Sequence, residues 1–130
     1  MGGVAGEIVG CEAFTRIERY LRRRNWLSQQ GTLNHPFLPY AQTANAFYRS
    51  EVFEQVGLFE DQWVSAGDAD LCWRMQRRTT YRLAFCRKAQ VDHKNRSDLV
   101  SIFKQTMKWG IGDANLQSRY PTMQPFREAA

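Results

Sequence analysis

Strand-like and helix-like patterns alternate along the 130 residues, and no other feature restricts the fold as strongly. Gly3 to Gly10, with Val4, Ile8 and Val9 apolar, reads as a short strand with no strand before it to pair with. From Glu12 to about Gln29, Phe14, Ile17, Leu21 and Trp26 recur at helical intervals with Arg16, Arg19, Arg22, Arg23 and Arg24 between them, the pattern of an amphipathic, strongly basic helix. GTLNHPFLPY, from Gly31 to Tyr40, carries two prolines and reads as an irregular loop. Thr43 to Arg49 reads as a strand, and Ser50 is placed to cap a short helix with Val52, Phe53 and Val56 on one face and Gly57 at its end. A helix is expected from Asp68 to about Arg78, extended chain from Tyr81 to Cys86 and from Ala89 to His93, and a last helix from a cap at Asp98 to Gly110. Alternation of this kind predicts a layered α/β fold with a short mixed sheet flanked by helices. Residues 1–112 read as the folded part, and residues 113–130 as a tail that packs loosely or only against a partner.

The composition is that of a globular domain: 43% of the residues are hydrophobic, among them four Trp and eight Phe, enough to fill a core. The net charge of +5 favours an anionic partner such as a nucleotide diphosphate, an acidic lipid surface or nucleic acid. Cys11, Cys72 and Cys86 are odd in number and show no CxxC spacing, which points to reduced thiols and a cytoplasmic setting. No apolar run approaches the length of a membrane span, and the start of the chain lacks the pattern of a signal peptide.

The stretch WVSAGDADLCWRM, Trp63 to Met75, supports two readings. In one, Ser65 and Asp68 have the spelling of a capping box, and an acid in the first helical turn stabilises the helix by about 0.3–1 kcal/mol. Asp70 and Arg74 would then be an i,i+4 pair supporting the same helix. In the other, Asp68 is a carboxylate held at the mouth of a site.

Four ordered blocks bear on that choice: TANAFYRSEVFEQVGLFED, GDADLCWR, VDH and QTMKWGIG. Together they resemble the second half of the catalytic domain of family 2 glycosyltransferases, nucleotide-sugar enzymes of the GT-A fold. The fold implied is a partial GT-A fold lacking the donor-binding half, which would precede the Val4 strand. The resemblance implies that Asp68 is the catalytic base of an inverting transfer. Asn45, Asp70 and Trp109 would line the acceptor cleft, and His93 would face the donor diphosphate or its divalent metal, Mn or Mg. Two spellings depart from the family pattern: Gly67 replaces the first acid of the Glu-Asp pair, and Lys108 replaces the arginine of Gln-x-x-Arg-Trp at Gln105 to Trp109.

The partners implied are a nucleotide sugar and a glycan or lipid-linked acceptor. A second copy or another chain would cover the open edge of the Val4 strand and the face left by the missing half. The Arg22-Arg23-Arg24 run would hold the protein at the inner face of an anionic membrane, or it is a solvated helix face. A rival reading makes the chain a basic, non-catalytic module whose Arg16-to-Arg24 helix binds nucleic acid or an acidic surface, with Trp26, Phe37 and Tyr40 stacking on bases.

Overall fold

The computed structural model describes residues 1–123. Its elements are β1 (Gly3–Gly10), α1 (Arg16–Arg23), α2 (Gln29–Leu33), β2 (Ala46–Tyr48), α3 (Ser50–Val56), α4 (Gly67–Arg78), β3 (Leu83–His93) and α5 (Leu99–Arg119), with a 3₁₀ turn over Thr43–Asn45. The sheet has three strands in the order β2-β1-β3. β1 pairs antiparallel with β2 through Gly3 to Ala5 and parallel with β3 along its length. The expected class, a short mixed sheet flanked by helices, is what forms, and it is consistent with part of a GT-A fold. β1 is the central strand, so the open edge expected beside Val4 is occupied: Val4 pairs with Phe47 on one side and Ala84 on the other.

The two extended segments expected on either side of Cys86 form one strand, β3. Its register on β1 jumps between Gly6 and Glu7, which face Cys86 and Gln90, so that residues 87–89 bulge out of the ladder. Asn45 satisfies the carbonyls freed there: its Nδ2 donates to Glu7 O at 2.9 Å and to Ala89 O at 2.7 Å. Gly6 makes room for this crossing, since a Cβ at that position would lie 2.2 Å from both Ala89 O and Asn45 Nδ2.

The long basic helix expected from Glu12 to Gln29 breaks into two. Thr15 and Glu18 form a capping box, with Thr15 Oγ1 accepting from Glu18 N and Glu18 Oε2 accepting from Thr15 N, so the helix starts only at Arg16. Phe14 is left outside it and exposed, and Leu21 is the buried anchor. Asn25 enters the left-handed region at φ 47°, Trp26 N–H returns to Leu21 O, and the chain restarts as α2 under a Ser28 cap. The loop expected from Gly31 therefore begins as helix. At α3, Arg49 rather than Ser50 holds the N-cap position, without a side-chain cap; Gly57, at φ 84°, ends the helix as expected.

The largest difference concerns the last helix. Asp98 caps it as expected, its Oδ1 accepting from Ser101 N at 2.8 Å, but α5 runs through Gly110 and Gly112 to Arg119. Leu116, Tyr120 and Met123 join Ala69, Cys72 and Trp73 of α4 in the main core, so residues 113–123 pack closely instead of loosely. The expected tail beyond them, residues 124–130, lies outside the described residues. A second, smaller core joins Val52 and Val56 of α3 to Leu71 and Met75 of α4. Cys11, Cys72 and Cys86 are free thiols; burial pushes Cys72 up to about 11. No helix among the described residues is long and apolar enough to cross a membrane.

Candidate active site

The start of α4 does not close a capping box. Ala66 occupies the N-cap position in the left-handed region, at φ 69°, and makes no side-chain cap bond. Asp68 instead accepts from the N–H of its neighbour Ala69 at 2.9 Å and faces a cavity of about 690 Å³. The segment from Trp26 to Thr43, the loop from Phe59 to Gly67 and the inner side of α5 enclose this cleft, with Trp26, Tyr40, Phe59, Trp63 and Trp109 as aromatic walls. Burial pushes the Asp68 carboxyl above the ordinary carboxylate range, against backbone N–H groups of Ala69, Thr43 and Asp68 itself that pull it down.

Asp70 was expected in the same cleft and is not among the residues that line it. Two helical residues two positions apart diverge by about 200° around the axis, so an acid beside Asp68 in sequence points the opposite way. Asp70 is 0% exposed. Its Oδ2 accepts from Arg74 Nε at 2.9 Å and its Oδ1 from the Tyr120 hydroxyl at 2.8 Å, with Arg119 Nε 3.3 Å away. Arg74, also buried, donates to Val56 O and to Leu58 O, fastening the end of α3 and the following loop to α4. The expected i,i+4 pair exists, in the core rather than on the surface.

Trp109 lines the cleft and stacks on Trp26, ring centroids 5.3 Å apart with 29° between the planes. Trp26 Nε1 donates to Gln105 Oε1 at 3.2 Å, so both ends of the Gln-x-x-Lys-Trp stretch hold the same indole. Lys108 lines not this cleft but an adjoining cavity of about 340 Å³, with Arg96 and Lys104, that shares Val64, Ser65 and Trp109 with it. Asn45 does not line the cleft; it ties the bulge of the sheet, the strand-end role open to it from sequence.

His93 ends β3 beside a crevice of about 10 Å³ lined by Arg22, Asn25 and Asn95, and its buried Nδ1 makes no hydrogen bond among the described residues. No carboxylate among the described residues lines that crevice. Among the described residues no group of three or more His, Cys, Asp or Glu side chains is placed to hold a metal ion. The described residues thus do not fit, by themselves, the divalent ion that the resemblance implies.

Several residues of the site carried no local signal. Trp26 read as an apolar position of a long helix, and with Tyr40 only as a base-stacking aromatic of the rival reading, Trp63 as a loop residue, and Asp113 and Arg119 as tail. Arg119 pairs with both oxygens of the Glu60 carboxylate and lies 5.9 Å from the Trp63 ring, fixing the cleft wall between α3 and α4 to the end of α5. That ion pair holds Glu60 below the ordinary carboxylate range. His35 also lines the cleft, and burial lowers its pKa, favouring the neutral ring.

With this geometry established, comparison with known proteins places the chain. The model of the family described as glycosyl transferase family group 2 matches residues 9–127, nearly the whole sequence. The chain belongs to that family. No curated protein and no solved structure matches it. The rival reading as a basic binding module gains no support from this membership.

Proposed function

We propose that the aromatic cleft is the acceptor side of a nucleotide-sugar-dependent transfer and that Asp68 is its base. The observation that carries this reading is the separation of the two acids of α4: Asp70 is consumed by Arg74 and Tyr120, whereas Asp68 stands in the cleft with its pKa raised by burial. A carboxylate shielded from water binds a proton more readily than an exposed one, which suits a group that must take one from a hydroxyl near neutral pH.

In the reaction, a saccharide hydroxyl enters the cleft with its ring face on the Trp26, Trp63 or Trp109 wall. Asp68 accepts the hydroxyl proton as the oxygen attacks the anomeric carbon of the donor sugar. The bond from that carbon to the diphosphate oxygen breaks on the opposite face, the nucleoside diphosphate leaves with the bonding pair, and the configuration inverts. Trp109, stacked on the Trp26 indole that Gln105 holds, positions the acceptor. Arg74 acts at a distance by keeping α4 in place.

The test is transfer from UDP-, GDP- and TDP-sugars to a β-linked oligosaccharide, followed by product mass and released nucleoside diphosphate, for the wild type and Asp68→Asn. The variant is expected to lose about 10²-fold or more in kcat with an unchanged circular dichroism spectrum. Equal turnover by the variant would refute the assignment.

A further inference from the structure

We propose that Asp113 is a second carboxylate of the cleft, and that it makes the site select an uncharged saccharide over an anionic one. This rests on the reading of the cleft as an acceptor site. Asp113 lies one helical turn beyond Trp109 on α5, and both side chains line the cleft. Gly112 suits the approach that brings it there: a Cβ at that position would stand 3.0 Å from the Cβ atoms of Ser65 and Ala66, so the loop that leads to Asp68 would have to give way for any larger residue. Asp113 is exposed at the rim, with burial on its inner side raising its pKa. The Tyr40 phenol lies within the field of both carboxylates, since Asp68 and Asp113 each add to the rise in its pKa caused by burial.

Among the described residues, Asp68 and Asp113 are the only Asp or Glu side chains lining the cleft, and no Lys or Arg lines it. This holds in a chain with 18 Lys and Arg against 13 Asp and Glu. Arg96, Lys104 and Lys108 line an adjoining cavity that shares Val64, Ser65 and Trp109 with the cleft, and Arg119, behind the Trp63 ring, is held by Glu60. Carboxylates accept hydrogen bonds from sugar hydroxyls, and aromatic faces take the apolar faces of the rings. A uronate or phosphate in the same place meets two like charges in a partly dry cleft, with no Lys or Arg among its described lining residues to offset them.

The experiment uses the tryptophans of the cleft as reporters. Fluorescence of the full chain is titrated at neutral pH and low salt with a β-linked glucose tetramer and with the glucuronate tetramer of the same linkage. The wild type is expected to bind the neutral tetramer about three- to tenfold more tightly. Asp113→Asn narrows that ratio, Asp113→Glu keeps it, and Asp113→Lys closes or reverses it; because the residue is exposed, each variant is expected to fold, checked by circular dichroism. A wild type that binds both tetramers equally, or Asn and Lys variants that keep the wild-type ratio, would overturn the proposal alone. Failure of a folded wild type to bind either tetramer would overturn the acceptor-cleft reading and this proposal with it.

Discussion

The two faces of α4 treat chemically identical groups in opposite ways. On the core face, Asp70 is fully enclosed and each of its oxygens has a partner from another turn or another element. On the cleft face, Asp68 accepts from backbone N–H groups, that of Ala69 at 2.9 Å, and has an aromatic cavity in front of it. Burial alone therefore does not mark a functional acid. What distinguishes Asp68 is burial without a compensating cation among the described residues, which destabilises its charged form and leaves a carboxylate with an affinity for protons.

The contrast breaks most strongly at Asp70. Replacing it with Ala leaves Arg74 buried and uncompensated, and is expected to cost about 3–5 kcal/mol in urea unfolding, enough to threaten the fold of a domain this size. Gly112→Ala comes next. Its methyl group would press on Ser65 and Ala66, pushing α5 from the loop at the head of α4, with an expected cost of about 1–3 kcal/mol and a wider cleft. Tyr120→Phe, which removes one donor from Asp70 while Arg119 remains close, is expected to cost about 1–2 kcal/mol in the same measurement.

Asp68→Asn should have the smallest effect on stability, of the opposite sign. The folded pKa of Asp68 lies above its unfolded value near 3.8, so its ionisation costs stability as pH rises through and beyond that value. The amide variant escapes that cost. Thermal unfolding should show it equal to or slightly more stable than the wild type at neutral pH, with the difference shrinking as pH falls towards 3.8. A variant less stable than the wild type at neutral pH would place Asp68 with Asp70 as a structural group.

The sequence made one face of this comparison more legible than the other. Asp68 and Trp109 stood out because the blocks around them occur in a recognisable order, and the α/β class followed from the alternation of patterns. The role of Asp70 was hidden because Arg119 and Tyr120 lie some fifty residues away in a segment whose glycines read as the end of a helix. Gly110 and Gly112 do weaken helix propensity, but tertiary packing of Leu116 and Tyr120 on α4 carries the helix through them. Trp26 was legible as apolar and not as a cleft wall, since the left-handed turn at Asn25 that swings it towards Trp109 has no periodic signature. The metal-binding expectation at His93 came wholly from resemblance, and the described residues around it supply no carboxylate.

The most direct test of the division of labour on α4 is a carboxyl-carbon NMR titration of the aspartates, with and without a saccharide acceptor. A residue that merely caps the helix would titrate at or below the ordinary value, drawn down by the backbone N–H groups and the positive end of the helix. Asp68 is expected to titrate above 3.8, with a resonance that moves when the saccharide is added. An Asp68 that titrates at or below that value and is unmoved by saccharide would contradict it.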